Sequence, residues 1–86
     1  MKNIEIYTTM FCPFCSRAKK LLNNKNVSYK EIDVTVSADL RQEMMQRAGG
    51  AHTVPQIFVD GKHIGDSDYI HRLDESGKLD HILGTS

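Results

Sequence analysis

The chain has 86 residues, 40% hydrophobic and 26% charged, which is the composition of one small globular domain spanning 1–86. Eleven Lys and Arg balance eleven Asp and Glu, and a formal net charge of zero excludes a broad electrostatic attraction to nucleic acid or to an anionic membrane. A strand pattern starts within about four residues of the amino terminus and no apolar run could span a bilayer, so no signal peptide or membrane anchor is expected, and the expected location is the cytoplasm.

Ile4-Glu5-Ile6-Tyr7-Thr8 alternates apolar and polar residues and is rich in β-branched side chains, which predicts a strand. From Pro13, the residues Phe14, Ala18, Leu21 and Leu22 recur at helical spacing while Arg17, Lys19 and Lys20 fall elsewhere on the wheel. That pattern predicts an amphipathic helix with basic residues towards its carboxyl end, closed by Asn23 to Asn26. Val27 to Val34, apolar at 27, 29, 32 and 34, suits a second strand, and the intervening helix makes it parallel to the first. Ser37 or Asp39 can open a second helix that turns Leu40, Met44, Met45 and Ala48 to the sheet before Gly49-Gly50 stops it. Gln56 to Val59 and Lys62 to Ile64 flank Asp60-Gly61, a two-residue hairpin signal. Ser67 can cap a last helical segment in which Ile70 and Leu73 bury, Gly77 closes the first part, and Leu79, Ile82 and Leu83 dock the tail. The order β-α-β-α-β-β-α predicts an α/β fold with a mixed four-stranded sheet and helices on both faces.

Chemistry concentrates at Cys12-Pro13-Phe14-Cys15. If a helix begins near Pro13, Cys12 lies at its amino end, where unpaired N–H groups and the macrodipole favour a thiolate over a thiol. The i, i+3 spacing brings Cys15 within reach of its sulfur, so the pair can cycle between dithiol and disulfide with Cys12 as the nucleophile. Zinc would need two more ligands. No third cysteine exists, and His52, His63, His71 and His81 are separated by 11, 8 and 10 residues, unlike the short spacing of a zinc finger. A disulfide across so short a loop removes little unfolded-state entropy, which argues against a structural staple. Two further motifs have an ordinary and a sharper local reading. In Thr53-Val54-Pro55 the proline either starts a strand without needing a ladder hydrogen bond or follows a cis bond. The run Ile64-Gly65-Asp66-Ser67-Asp68 either turns strand into helix with Asp or Ser as the cap or, through its N–H groups and the Asp68 carboxylate, holds the carboxylate and ammonium of a small peptide.

With these three motifs in this order on this pattern of elements, the chain resembles a dithiol glutaredoxin of the small bacterial type over almost its whole length. The resemblance implies a thioredoxin-like fold, Cys12 as nucleophile, Cys15 as resolving thiol and a cis Pro55 opposite them. It also implies glutathione as reducing co-substrate, with no permanently bound cofactor and no metal. The implied glutathione groove comprises Phe14, Thr53, Val54, Pro55, Ser67 and Asp68. There the Val54 backbone would pair with the tripeptide, Ser67 and Asp68 would hold its γ-glutamyl end, and Gln42 or Arg41 would meet its glycine carboxylate. Disulfide-containing or glutathionylated proteins are the implied macromolecular partners of a monomer. Rival readings are a dimer sharing an iron-sulfur cluster, which the stiff Pro13 disfavours, and a donor reduced by a flavoprotein instead of glutathione. The chain departs from the family pattern in three places. Phe14 stands for a common tyrosine, Thr9-Met10-Phe11 lacks a frequent lysine, and Asp66 replaces the second glycine of a Gly-Gly turn.

Overall fold

The computed structural model describes residues 2–85 and contains one four-stranded sheet in the order β2-β1-β3-β4. The elements are β1 (Ile4–Thr8), α1 (Pro13–Asn24), β2 (Lys30–Asp33), α2 (Ala38–Arg47), β3 (Gln56–Val59), β4 (Lys62–Gly65), α3 (Ser67–Glu75) and α4 (Leu79–Leu83). β1 pairs parallel with β2, with Tyr7 opposite Ile32, and antiparallel with β3, with Ile6 opposite Ile57. β3 and β4 form the expected hairpin, whose turn places Asp60 at φ 52° and Gly61 at φ 81°, the doubly positive pair that a two-residue loop requires.

Strand alternation divides the core into two layers. Ile4, Ile6, Ile57 and Val59 point to one face, where Ala18, Leu21 and Leu22 of α1, Ile70 of α3, and Leu79 and Leu83 of α4 cover them. Tyr7 and Phe58 point to the other, against Met44 and Ala48 at the end of α2, with Val34 beside them. Fully burying side chains such as Leu22 or Ile6 contributes roughly 1.5 to 3 kcal/mol each, so both faces are needed to hold a chain this short. Arg47 joins the second layer to the sheet by donating to the Tyr7 hydroxyl at 2.6 Å and to Glu5 at 2.8 Å, while its guanidinium lies 4.2 Å from the Phe58 ring centroid.

Five sequence readings change or narrow. β2 spans only Lys30–Asp33, because Asn26 takes φ 58° after α1 and Val27 and Tyr29 pack on the core before pairing begins. Phe14 is 53% exposed, and the inward position in the first turn of α1 belongs to Cys15, which is 2% exposed. The last turn of α1 carries no basic residue. Of the Asp and Ser candidates for the cap of α3, Asp66 takes the place: its Oδ1 accepts the Tyr69 amide at 2.9 Å, which leaves Ser67 as a buried first helical residue. The tail after Gly77 adds a separate short helix, α4, which seats Leu79 and Leu83 in the core.

Candidate active site

The thiols stand where β1 turns into α1. Pro13 occupies the first helical position, which needs no amide donor, and Cys12 is the N-cap in an extended conformation with φ −109° and ψ 105°. Its Sγ accepts the Cys15 amide at 3.1 Å, its carbonyl accepts the Ser16 amide at 3.1 Å, and the sulfur is partly exposed. A sulfur acting as N-cap acceptor is electronically suited to carry negative charge. Cys15 is buried one turn further on, and burial, reinforced by its interaction with Cys12, pushes its thiol up to about 12. The two free thiols therefore have different surroundings: one faces out at a helix terminus, the other is held protonated behind it.

Opposite Cys12 runs the segment before β3. The Val54-Pro55 bond is cis and Pro55 is buried, and the Val54 carbonyl oxygen lies 4.0 Å from Cys12 Sγ. Thr53 accepts Gln56 Nε2 on its carbonyl at 3.0 Å, which fixes the turn into the strand. From Val54 a groove of about 260 Å³ extends between Phe14 and the start of α3, where Asp66, Ser67 and Asp68 form its far wall. The first-turn amides of Ser67 and Asp68 have no intrahelical acceptor. Ser67 is 2% exposed and its buried Oγ has no hydrogen-bond partner among the described residues. A buried hydroxyl left without a partner beside unpaired amides is costly unless a ligand supplies the missing bonds.

All six residues expected beyond the thiols, Phe14, Thr53, Val54, Pro55, Ser67 and Asp68, thus come together around one groove. Arg41 and Gln42 do not line it; Arg41 instead donates to the His52 carbonyl at 3.1 Å. Asp66, within the run already read as a holder of a small peptide's end, is part of the groove wall. One feature was missed by sequence reasoning. Lys19, one helical turn beyond Cys15, pairs with Glu31 at 3.0 Å, and the same carboxylate accepts the buried Thr8 hydroxyl at 2.8 Å. Those two bonds, the Thr8 bond foremost, hold Glu31 below the usual carboxylate range, and Lys19 in turn is raised by its bond to Glu31.

A mixed sheet with helices on both faces, a helix-terminal dithiol and a cis-proline turn facing it define a thiol-disulfide oxidoreductase of the thioredoxin-like fold. The family model "Glutaredoxin" matches residues 4–64. Glutaredoxin 3 of Escherichia coli (strain K12) is 49% identical over 83 residues, covering 96% of this chain and 99% of that protein. The solution structure of glutaredoxin from Brucella melitensis superposes with a TM-score of 0.84 at 43% identity, covering 96% of this chain and 89% of that one. The crystal structure of a buckwheat glutaredoxin-glutathione complex does so with a TM-score of 0.86 at 30% identity, covering 96% and 77%. The chain belongs to the glutaredoxin family, and its activity is that of a glutathione-dependent thiol-disulfide oxidoreductase.

Proposed function

We propose that Cys12 is the attacking thiol, Cys15 the resolving thiol, and the groove from Phe14 to Asp68 the seat of glutathione. The observation that carries this assignment is the far wall of the groove. An unpartnered buried Ser67 hydroxyl and the first-turn amides of α3 call for a carboxylate, and the neighbouring Asp68 carboxylate calls for an ammonium. The γ-glutamyl end of glutathione carries both groups on one carbon. Val54, outside the β-ladder, supplies backbone groups for the cysteinyl part, and Phe14 and Pro55 supply apolar walls. The buckwheat relative, solved as a glutathione complex, supports the same reading.

The reaction then runs in two balanced exchanges. The Cys12 thiolate attacks the glutathione sulfur of a mixed disulfide, the old S–S bond breaks, and the protein sulfur departs as a thiolate that takes up a proton. A second glutathione thiolate attacks the bound glutathione, releasing glutathione disulfide and restoring Cys12. With a protein disulfide, the Cys12 thiolate attacks one protein sulfur, the protein S–S bond breaks and the other protein sulfur leaves as a thiolate that takes up a proton; Cys15 then attacks Cys12 Sγ and displaces the first protein sulfur to give the Cys12–Cys15 bridge. Its proton passes to the departing thiolate, and two glutathiones reduce the bridge. Because glutathione recharges the site, we place the protein in a compartment with a reducing glutathione pool, the cytoplasm, acting as a monomer on glutathionylated or disulfide-containing proteins. The discriminating experiment supplies either glutathione with its recycling reductase or a flavoprotein thioredoxin reductase alone. Turnover should need glutathione, and efficient reduction by the flavoprotein alone would overturn the assignment.

A further inference from the structure

A second groove of about 410 Å³, which shares no lining residue with the first, has Met10, Phe11, Cys12, Cys15 and Asp33 in its walls and the Lys19–Glu31 pair at its edge. Its rim is unusual for a chain that needs its apolar residues inside. Phe11 is 96% exposed and sits at φ 56°, a left-handed conformation that a bulky side chain adopts only at a cost of order 1 to 3 kcal/mol. Met10 is 57% exposed, and its amide is fixed by the Thr35 hydroxyl at 2.8 Å. Val36, next to that threonine, is 96% exposed. The fold therefore gains almost no burial from Phe11 and Val36, and only part of what Met10 offers, while holding the loop before Cys12 in a strained shape. The charged side chains of the groove are one cation, Lys19, and two carboxylates, Glu31 and Asp33, so it is acidic by one charge. Lys19 is bonded to Glu31, while Asp33 is held by Thr35, whose amide donates to it at 2.8 Å, and feels Lys19 only at longer range, with no ion-pair partner among the described residues.

We propose that this second groove seats the polypeptide half of a protein disulfide: an extended segment whose target cysteine is flanked by an apolar side chain, packed on Phe11 and Met10, and a basic side chain, paired with Asp33. In a Cys12–protein mixed disulfide the protein sulfur is bonded to Cys12 Sγ, which lines this groove and not the glutathione groove, so the chain that carries it can rest here while the groove from Phe14 to Asp68 stays open to glutathione. The inference rests on the glutathione groove assigned above. It adds that the two halves of the exchange occupy separate surfaces, with apolar contact and one unpaired carboxylate selecting the protein half.

The test uses the Cys15→Ser protein, locked in turn as a Cys12 mixed disulfide with glutathione and with a short peptide whose one cysteine is flanked by leucine and lysine. Amide chemical shifts should move at residues 9–11 and 33 with the peptide, and at 53–55 and 66–68 with glutathione. Peptide-induced shifts confined to 53–55 and 66–68 would overturn the proposal. A glutathione adduct silent at 53–55 and 66–68 would instead overturn the glutathione groove, leaving the peptide arm to be judged by its own shifts. Changes at residues 9–11 with concentration of the free reduced protein would show a second copy covering the rim, and would also overturn it. In kinetics, Phe11→Asn, which tolerates the left-handed backbone, and Asp33→Asn should each raise KM for the disulfide of that peptide at least three-fold relative to KM for the glutathione–cysteine mixed disulfide. Equal changes for both substrates would mean a disturbed loop and no docking role. Wild-type protein should favour the leucine-lysine peptide over one flanked by serine and glutamate, and the absence of that preference would refute the claim.

Discussion

Replacing Asp66 by Asn separates two roles that its carboxylate combines. Asp66 caps α3 through Oδ1, 2.9 Å from the Tyr69 amide, and it also forms part of the groove wall next to Ser67 and Asp68. Asn caps a helix about as well as Asp, so Asp66→Asn should leave stability within about 0.5 kcal/mol of wild type, as read by urea unfolding. What changes is charge. The γ-glutamyl carboxylate assigned to the α3 amides must share that terminus with Asp66, and like charges at an exposed helix end cost roughly 0.3 to 1 kcal/mol. At RT of about 0.59 kcal/mol, removing that repulsion should lower the half-saturating glutathione concentration about two- to five-fold. Because the groove is open, the effect should be largest near 0.01 M salt, where the Debye length is about 30 Å, and should shrink towards 1 M, where it is about 3 Å. Asp68→Ala should move the same quantity upward, since it deletes the partner of the ammonium. Steady-state turnover at varied glutathione and two ionic strengths measures both. An unchanged glutathione dependence for Asp66→Asn at low salt, or a shift of both variants in one direction, would refute the placement of the γ-glutamyl end.

Reduced protein near pH 9 should be alkylated by iodoacetamide at Cys12 with Cys15 spared, because a thiol at about 12 against an ordinary 9.0 is only about one part in a thousand thiolate there; mass mapping that finds both cysteines modified at similar rates would contradict the buried, protonated Cys15. Gly65→Ala should lower stability by about 1 to 3 kcal/mol in urea titrations, since Gly65 sits at φ 150° and a Cβ there would lie 2.7 Å from Tyr69 Cδ2; an unchanged midpoint would show that α3 shifts freely. Burial lowers His63 from 6.5 and the Thr8 and Lys19 bonds lower Glu31 from 4.5, so in both cases the unfolded chain binds more protons in the window below the ordinary value. Stability should therefore fall as pH drops below 6.5 and again below 4.5, and His63→Gln should flatten the first limb; a wild-type profile level across that first window would contradict it.

Elements with strong local patterning were legible in the sequence. β1 alternates cleanly, the Asp60-Gly61 turn dictates its hairpin, and α1 follows from Pro13 and the Ala18, Leu21 and Leu22 spacing. What the sequence obscured was decided by tertiary position. Phe14 shares a helical stripe with Ala18, yet in the first turn of α1 it lines the groove half exposed and Cys15 takes the buried place. The apolar rhythm from Val27 to Val34 looks like one long strand because Val27 and Tyr29 pack on the core from a connecting segment, while ladder pairing covers only Lys30–Asp33. Ser67 and Asp66 are equally good caps by residue type, and only the backbone at φ −101°, ψ −170° selects Asp66. The Lys19–Glu31 pair joins residues twelve apart on a helix and an edge strand, a contact that parallel pairing of β1 with β2 creates and no local motif announces.

The central claim, that Cys12 alone carries glutathione through the reaction while Cys15 serves only protein disulfides, is tested most directly by trapping the intermediate. Cys15→Ser protein mixed with a glutathionylated peptide should show one glutathione on Cys12 by mass spectrometry, released by added glutathione, and should retain turnover on that substrate while losing most reduction of protein disulfides. Cys12→Ser should show neither adduct nor turnover. A Cys15→Ser protein as inactive on the glutathionylated peptide as Cys12→Ser, or glutathione recovered on Cys15 of the wild type, would contradict the account.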